Sequence, residues 1–474
     1  MSQGNGLSHR DLARRVARSL QPGSIVALGA GLPGLVAEHL APGSGVMVLY
    51  ESGALGYPAP SAAAGPGPAA DSSKVGISLL PGASVNSLID AAAMLRGGHV
   101  GVAVVQAARV SSRGDFIHWT TAATPGLFAP GAALDLAAAN RVIAMMPHTG
   151  PQGSPNLVSQ CAGPVDGAGC VRQIVTDISV IDVTPEGLVL AEVAPGWRAD
   201  DVIARTGAPL AVSPGLTEMT LDSHTGVPSN AIRQKVYSSG RDALSDLPNG
   251  ATVMIDGFAG PGGMPHYLLV SLRDHGATGL TIISNTAGIA RVVNFGTPPG
   301  RQAIDHTVLI DNHQVRKAIA SYPVSPSASR PSAFELAYRR GEVELELVPQ
   351  GTLAERLRAG GAGVAAFYTP TGVGTLMAQG KETRVIDGKE YILERGLRAD
   401  FCLIRGYRAD TLGNVVYQGT SRNFNAVMAP AADVTIVEVD EIAEPGELDP
   451  EAIVTPGIYV DRVVRRPPDF SPYE

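Results

Sequence analysis

Cysteine is scarce in this chain: Cys161, Cys170 and Cys402 are the only three in 474 residues. An odd set without metal-ligand spacing argues against a disulfide framework and leads to the expectation of reduced thiols in a cytoplasmic protein. No apolar run is long enough to span a bilayer. The formal net charge is -8, with both signs dispersed and no basic cluster, which argues against nucleic acid or an anionic membrane as partner. The N-terminus interleaves Arg10, Arg14, Arg15 and Arg18 with Asp11 and apolar residues, unlike a secretory signal. His148, His224, His266 and His313 lack regular spacing, and no metal is assigned. What is plentiful is glycine (56), proline (36) and hydrophobic residues (45%), the balance of an α/β protein with many tight loops. The length suits about two to four domains.

Along the chain, Leu12, Val16 and Leu20 repeat at helical spacing behind Ser8, a candidate cap, predicting an amphipathic helix over 7–20. Pro22-Gly23 then leads into a strand at 24–28, the loop Gly29-Ala30-Gly31-Leu32-Pro33-Gly34, and a helix from about Leu35. Such a loop can face a phosphate or carboxylate, although close helix-to-strand packing explains it equally. Next comes Gly45, the apolar run Val46-Met47-Val48-Leu49-Tyr50, and Glu51-Ser52-Gly53. This pattern sets a carboxylate at the carboxyl end of a buried strand, where open α/β sheets keep their ligands; a surface glutamate at a strand-to-turn corner is the plainer alternative. Residues 59–70 read as a surface loop. Strands are expected at 75–80, 100–105, 141–146 and 187–193, with a helix through Met94 and a polar, irregular stretch from Pro147 to Cys170. Alternating helices and fully apolar strands predict a mostly parallel sheet covered on both faces.

The second half repeats the first. Asn249-Gly250 before 252–257 matches Pro22-Gly23 before 25–29, each followed by a glycine loop ending in proline, at Pro265 and Pro33. Gly279 to Asn285 then lines up with Gly45 to Glu51, so Glu51 and Asn285 occupy equivalent places. Were the halves to pack about a pseudo-twofold axis with their ligand edges facing, a carboxylate would meet an amide donor, and a nucleophile needs such a donor for the oxyanion its attack creates.

The chain resembles the family I CoA-transferases, which include succinyl-CoA:3-ketoacid and 3-oxoadipate CoA-transferases. The β-type half is carried by Gly29 to Pro33, Glu51 to Gly56, Leu80-Pro81-Gly82-Ala83-Ser84 and Val193-Ala194-Pro195-Gly196. The α-type half is carried by Pro349 to Arg356, Ala366 to Thr375, Arg422-Asn423-Phe424-Asn425 and the tail from Glu444 to Gly457. Fused relatives usually place the α-type half first; here the β-type half leads. The resemblance implies two related open α/β domains, at 1–218 and 232–474 joined by a linker at 219–231, with the active site in the cleft between them and a homo-oligomer as the assembly. It also implies acyl-CoA and a small carboxylic acid as partners, coenzyme A as a substrate and no permanently bound cofactor.

Under this resemblance Glu51 is the nucleophile of a ping-pong reaction through a glutamyl-CoA thioester, with Asn285 and the backbone at Gly131 and Ala132 as oxyanion donors. Gly29, Gly31, Gly260, Gly262 and Gly263 are expected to contact CoA or the acyl group. Gln106 and Arg109, in a segment that usually reads Gly-Ala-Met-Gln, are expected on the pocket wall as CoA contacts, and His118 either lines the pocket or packs in a loop. Several positions depart from the family. Leu49-Tyr50-Glu51-Ser52-Gly53 stands where Gln or His, Ser, Glu, Asn, Gly is usual; Ala129 to Leu136 replaces Gly-Met-Gly-Gly-Ala-Met-Asp-Leu; and Thr286 replaces an asparagine. Ala132 lacks a glycine's access to positive φ. A hydrolase, a carbon–carbon bond enzyme using Glu51 as general base, and a non-catalytic CoA-binding protein are the alternatives. Arg422 to Asn425 is expected at the domain interface, and the acidic run from Glu438 to Glu444 at a solvated edge.

Overall fold

The computed structural model describes residues 6–41, 43–59, 77–118, 132–221, 234–258, 263–293 and 297–473. The chain divides into two units, 1–233 and 234–474. In the first, helix α1 (His9–Arg18) begins at Ser8, whose hydroxyl accepts the Asp11 amide, and buries Leu12, Ala13 and Val16. Arg15 on this helix makes a two-pronged ion pair with Glu192.

The strands of this unit are β1 (Ile25–Leu28), β2 (Met47–Tyr50), β3 (Ala54–Gly56), β4 (Ser84–Val85), β5 (Val102–Gln106), β6 (Arg109–Ser111), β7 (Phe116–Ile117), β8 (Arg141–Met146), β9 (Leu157–Val158), β10 (Val171–Thr176), β11 (Ser179–Thr184), β12 (Gly187–Val193) and β13 (Leu210–Glu218). Ten of them form one sheet in the order β13-β12-β11-β10-β8-β5-β1-β2-β3-β4, and β7-β6-β9 form a small second sheet. The five central strands, β10 to β2 in that order, are parallel, and antiparallel hairpins extend both sides. All four residues of β2 are buried, as a strand covered on both faces requires.

The sequence reading needs amendment in places. The α-helix expected from Leu35 is a 3₁₀ helix, Leu32–His39; Pro33 and Gly34 in its first turn weaken α-helical hydrogen bonding, and the tighter turn results. The strand expected at 75–80 is reduced, among residues 77–80, to a single bridge between Leu79 and Pro58. The stretch from Pro147 to Cys170 contains a strand, β9, which pairs with β6. The helix expected through Met94 is α2 (Leu88–Arg96), which starts where Ser87 and Asp90 form a reciprocal cap. Most of the 59–70 loop and residues 222–230 of the linker lie outside the described residues.

The second unit contains β14 (Val236–Tyr237), β15 (Thr252–Ile255), β16 (Leu280–Thr286), β17 (Val315–Tyr322), β18 (Glu344–Leu347), β19 (Ala366–Thr369), β20 (Thr383–Ile386), β21 (Lys389–Arg395), β22 (Ala399–Arg405), β23 (Arg408–Asp410), β24 (Val415–Val416), β25 (Ala432–Val439), β26 (Glu441–Ala443) and β27 (Arg462–Arg465). Its main sheet, β14-β27-β25-β22-β15-β16-β17-β18, is parallel throughout. Val253, Ile255 and Ile282 point into one core and Met254, Ile283 and Ile319 into another, the two-residue alternation of a sheet covered on both faces.

The repeat read from sequence is present in the pairing. In the first unit β1 lies between β2 and β5, and in the second β15 lies between β16 and β22, all in parallel. Leu28 pairs with Tyr50, so the next step sets Gly29 beside Glu51; Met254 pairs with Ile283, so two further steps set Asp256 beside Asn285.

In the acidic run expected at a solvated edge, Glu441 and Glu444 are exposed and Glu438 is interior. Glu438 is fully buried, and its Oε2 accepts the amides of Tyr267 (2.8 Å) and Leu268 (3.0 Å) in the first turn of helix His266–His275. Asp440 joins Arg405 to Arg466. The helix start offers unpaired amides and a positive dipole end, and that is what draws Glu438 inward; burial still pushes its carboxyl up to about 7. Of the run expected at the domain interface, Arg422 and Asn423 are exposed and Asn425 is fully buried, as described below.

Candidate active site

Glu51 follows the last residue of β2 and is half-buried in a tight turn. The Gly53 amide closes this turn on the Tyr50 carbonyl at 2.9 Å. Gly53 has φ +93°, and a Cβ there would lie 1.9 Å from the Asn86 carbonyl oxygen, so only glycine fits. Asn86 clamps the turn by donating both its backbone amide and its side-chain Nδ2 to the Gly53 carbonyl, each at 3.0 Å.

On the neighbouring strand end, the Ala30 amide donates to Glu51 Oε1 at 3.1 Å. One residue on, Gly31 has φ +81°, and a Cβ there would come within 2.6 Å of Gln106 Oε1. That same oxygen accepts the Leu32 amide at 3.2 Å. The first glycine loop therefore turns two amides onto side chains at the ends of β2 and β5. Gln106 is steadied in turn by His118, whose Nδ1 lies 2.8 Å from the Gln106 carbonyl. The His118 amide donates to Asp166 Oδ2 at 2.6 Å, and the buried Oδ1 of Asp166 has no partner. Glu51, Gly29, Gly31 and Gln106 thus converge at the carboxyl ends of three adjacent parallel strands, the usual ligand edge of such sheets.

Ala132 joins this group. It precedes helix α3 (Ala133–Leu136) with φ −82°, an ordinary helical value, so the conformation there does not require glycine. Together with Glu51 it lines a recess walled by Leu88, Ala91, Ala92, Leu95 and Leu136. Arg109 is not among the lining residues; it stands on β6, close enough to Cys161 to act on its thiol. Gly131, Gly260 and Gly262 lie outside the described residues.

In the second unit, Asn285 is buried on β16 and its Oδ1 has no hydrogen-bond partner. Ser284 Oγ and Thr307 Oγ1 are likewise buried without partners. Gly257 allows the close approach of Ser284, Thr286 and His306: a Cβ there would lie 2.6 Å from Thr286 Oγ1, 2.7 Å from Ser284 Oγ and 2.8 Å from the His306 ring. Thr286, which replaces an asparagine of the family pattern, donates its hydroxyl to the Gly257 carbonyl at 3.1 Å. Buried polar atoms without partners are rare, and they concentrate where a ligand or water completes the set.

Asp256, ahead of this loop, is buried, and burial pushes its carboxyl up to about 7 against the amides of Phe258 and Gly257. Asn425 Nδ2 lies 2.9 Å from Asp256 Oδ2, 2.8 Å from the Gly263 carbonyl and 2.7 Å from the Ser421 carbonyl, while its Oδ1 accepts the Arg405 amide at 2.8 Å. Asn425 therefore anchors both ends of the second glycine loop to β22. The residue pattern gave no sign of the Ala30 amide or of the partners of Asn425; the available signals were a loop beside a strand-end carboxylate and the run Arg422-Asn423-Phe424-Asn425.

Among the described residues, no group of three or more His, Cys, Asp or Glu side chains could hold a metal ion, and no helix is long and apolar enough to cross a membrane. A half-buried carboxylate that accepts the Ala30 amide, with an apolar recess at its side, suits nucleophilic attack on a carbonyl.

The chain is 45% identical over 230 residues to one subunit of a probable succinyl-CoA:3-ketoacid coenzyme A transferase of Bacillus subtilis, spanning 48% of this chain and 89% of the relative. It is 46% identical over 230 residues to one subunit of the 3-oxoadipate CoA-transferase of Pseudomonas putida, spanning 48% and 93%. The crystal structure of glutaconate coenzyme A-transferase from Acidaminococcus fermentans aligns with a TM-score of 0.42 at 21% identity, covering 49% of this chain and 76% of that one. The family model for Coenzyme A transferase matches residues 9–205 and again 237–466, and with both halves accounted for, the chain belongs to the Coenzyme A transferase family.

Proposed function

We propose that Glu51 is the nucleophile through which this CoA-transferase moves coenzyme A between an acyl-CoA and a carboxylic acid, with 3-oxo acids among the acids. The carboxylate attacks the thioester carbonyl, giving an acyl-glutamyl anhydride and expelling CoA thiolate. The thiolate then attacks the glutamyl carbonyl, releasing the first acid and leaving a glutamyl-CoA thioester. An incoming carboxylate attacks that thioester, and the same two steps in reverse form the new acyl-CoA and restore Glu51.

The observation that carries this reading is the Ala30 amide holding Glu51 Oε1 at 3.1 Å beside the recess. The amide at Ala132 in the same recess is the proposed oxyanion donor, with Gly131 beside it. Asn285, at the equivalent strand end of the α-type half, is the proposed second donor. Gln106 and the first glycine loop form the proposed wall toward CoA, with Arg109, Gly260, Gly262 and Gly263 as further proposed contacts. In this reading the β-type half occupies 1–218 and the α-type half 232–474, and the fused chain acts as a homo-oligomer in the cytoplasm. These relatives are named as subunits, which supports an assembly, and the free cysteines Cys161, Cys170 and Cys402 suit a reducing compartment. The hydrolase, carbon–carbon bond and non-catalytic readings are not favoured, because the family and the curated relatives are transferases.

Two-substrate initial rates test this scheme. Parallel double-reciprocal lines are expected, together with exchange of isotope-labelled acid into its acyl-CoA in the absence of the second acid. Intersecting lines without such exchange would contradict a covalent intermediate.

A further inference from the structure

The chain has a formal net charge of -8, and exposed arginines such as Arg340, Arg358 and Arg398 each hold a carboxylate. One place in the second unit departs from this. Where the chain leaves the carboxyl end of β16, it forms a cavity of about 520 Å³ lined by Arg291, Arg301 and Arg330. No aspartate or glutamate lines it among the described residues. All three arginines are exposed. Arg291 is shared with Asp311 in an exposed ion pair, a kind that holds a side chain weakly. Arg301 and Arg330 have no side-chain partner among the described residues. Three like charges around one cavity repel each other unless an anion lies between them.

The backbone that carries these side chains is fixed. Arg301 closes a type II turn: its amide donates to the Pro298 carbonyl at 3.1 Å, Pro299 takes the second position, and Gly300 has φ +74° at the third. Arg330 lies in the loop between Ser325 and Ser332, whose amides both donate to Glu335 Oε2, at 2.8 and 2.9 Å. Beside Arg291, the Ala290 amide donates to Asp305 Oδ2 at 2.7 Å. A ligand entering the cavity therefore has little backbone to order, and the volume is that of a small-molecule site.

We propose that this cavity binds the phosphates of a phosphorylated ligand, with Arg301 and Arg330 as the principal contacts and Arg291 joining them. A lone carboxylate is satisfied by one guanidinium fork, whereas two unpaired forks and a third held weakly suit a group with two or more negative charges and more oxygens than one fork can fill. Two sources supply that chemistry: the phosphates of coenzyme A, or a separate phosphorylated small molecule. The first rests on the CoA-transferase reading; neither depends on Glu51.

Equilibrium dialysis of the wild-type protein with radiolabelled pyrophosphate tests the site without any turnover. Binding tighter than about 1 mM is expected, weakening as salt is raised. Arg301→Gln and Arg330→Gln are each expected to weaken it at least about 10-fold, the scale of a charge-assisted contact. Because both side chains are exposed and unpaired, neither change should move Tm. Arg340→Gln, a paired arginine on the surface elsewhere, should bind as wild type does. Displacement of the label by saturating coenzyme A would assign the site to the phosphates of the thioester, and its retention would assign the site to a separate phosphorylated molecule. No retained pyrophosphate, or equal retention by wild type, Arg301→Gln and Arg330→Gln, would overturn the inference and leave the Glu51 reading standing.

Discussion

Glu51→Ala is expected to lower kcat by at least about 10⁴-fold while leaving the fold intact, because no neighbouring group can take over the attack. Asp135 shares the recess but is committed to Arg96. The fold should tolerate the change because Glu51 is only half-buried and the turn is held by the Gly53 backbone and by the Asn86 amide and side chain, contacts that do not involve the Glu51 side chain. Glu51→Gln is the sharper variant. It keeps an oxygen able to accept the Ala30 amide but removes the nucleophilic carboxylate, so activity should be lost to the same extent. Steady-state rates and thermal unfolding of the two variants check this: an inactive protein with nearly unchanged Tm is expected, and retained turnover in Glu51→Gln would mean that the residue only positions substrate.

Asn285→Ala is expected to reduce kcat by about 10² to 10³-fold, the scale of losing one oxyanion donor. Its effect on stability should separate the functional role from a structural one. A buried amide that is fully hydrogen-bonded costs stability when deleted, whereas Asn285 Oδ1 is buried and unpartnered, so the native state already bears the cost of its desolvation. Truncation therefore removes one unsatisfied group, and any loss of stability is limited to the small cavity left behind. A large fall in kcat with little change in Tm is expected. Unchanged kcat would exclude Asn285 from the donors, and loss of folding would assign it a structural role.

The parts of this account that were legible in the sequence depend on periodicity and local chemistry. A five-residue apolar run ending in Glu51-Ser52-Gly53 can only be a buried strand reaching a turn, and the structure has that strand and that turn. The equivalence of the Glu51 and Asn285 positions was available because both halves keep the same interval between glycine turns and apolar runs, and the β1–β2 and β15–β16 registers reproduce it. Backbone geometry was not legible. Nothing in the residue types shows that the Ala30 amide serves Glu51 or that Gly31 makes room for Gln106, since any residue there carries the same N–H. Ala132 lacks a glycine's access to positive φ, and residue types alone did not show that φ is −82° there and needs no such freedom. Tertiary partners were equally hidden: Glu438 is drawn inside by a helix start about 170 residues earlier in the chain, and Asn425 by a loop a similar distance away.

Intact-protein mass spectrometry of wild type and Glu51→Ala, each incubated with acyl-CoA thioesters, tests the central claim most directly. The expected result is a CoA-sized adduct on wild type that is lost on borohydride treatment and absent from Glu51→Ala. Wild-type protein that releases free CoA or a rearranged acyl-CoA without ever carrying that adduct would contradict the glutamyl-CoA intermediate and return Glu51 to the role of a general base.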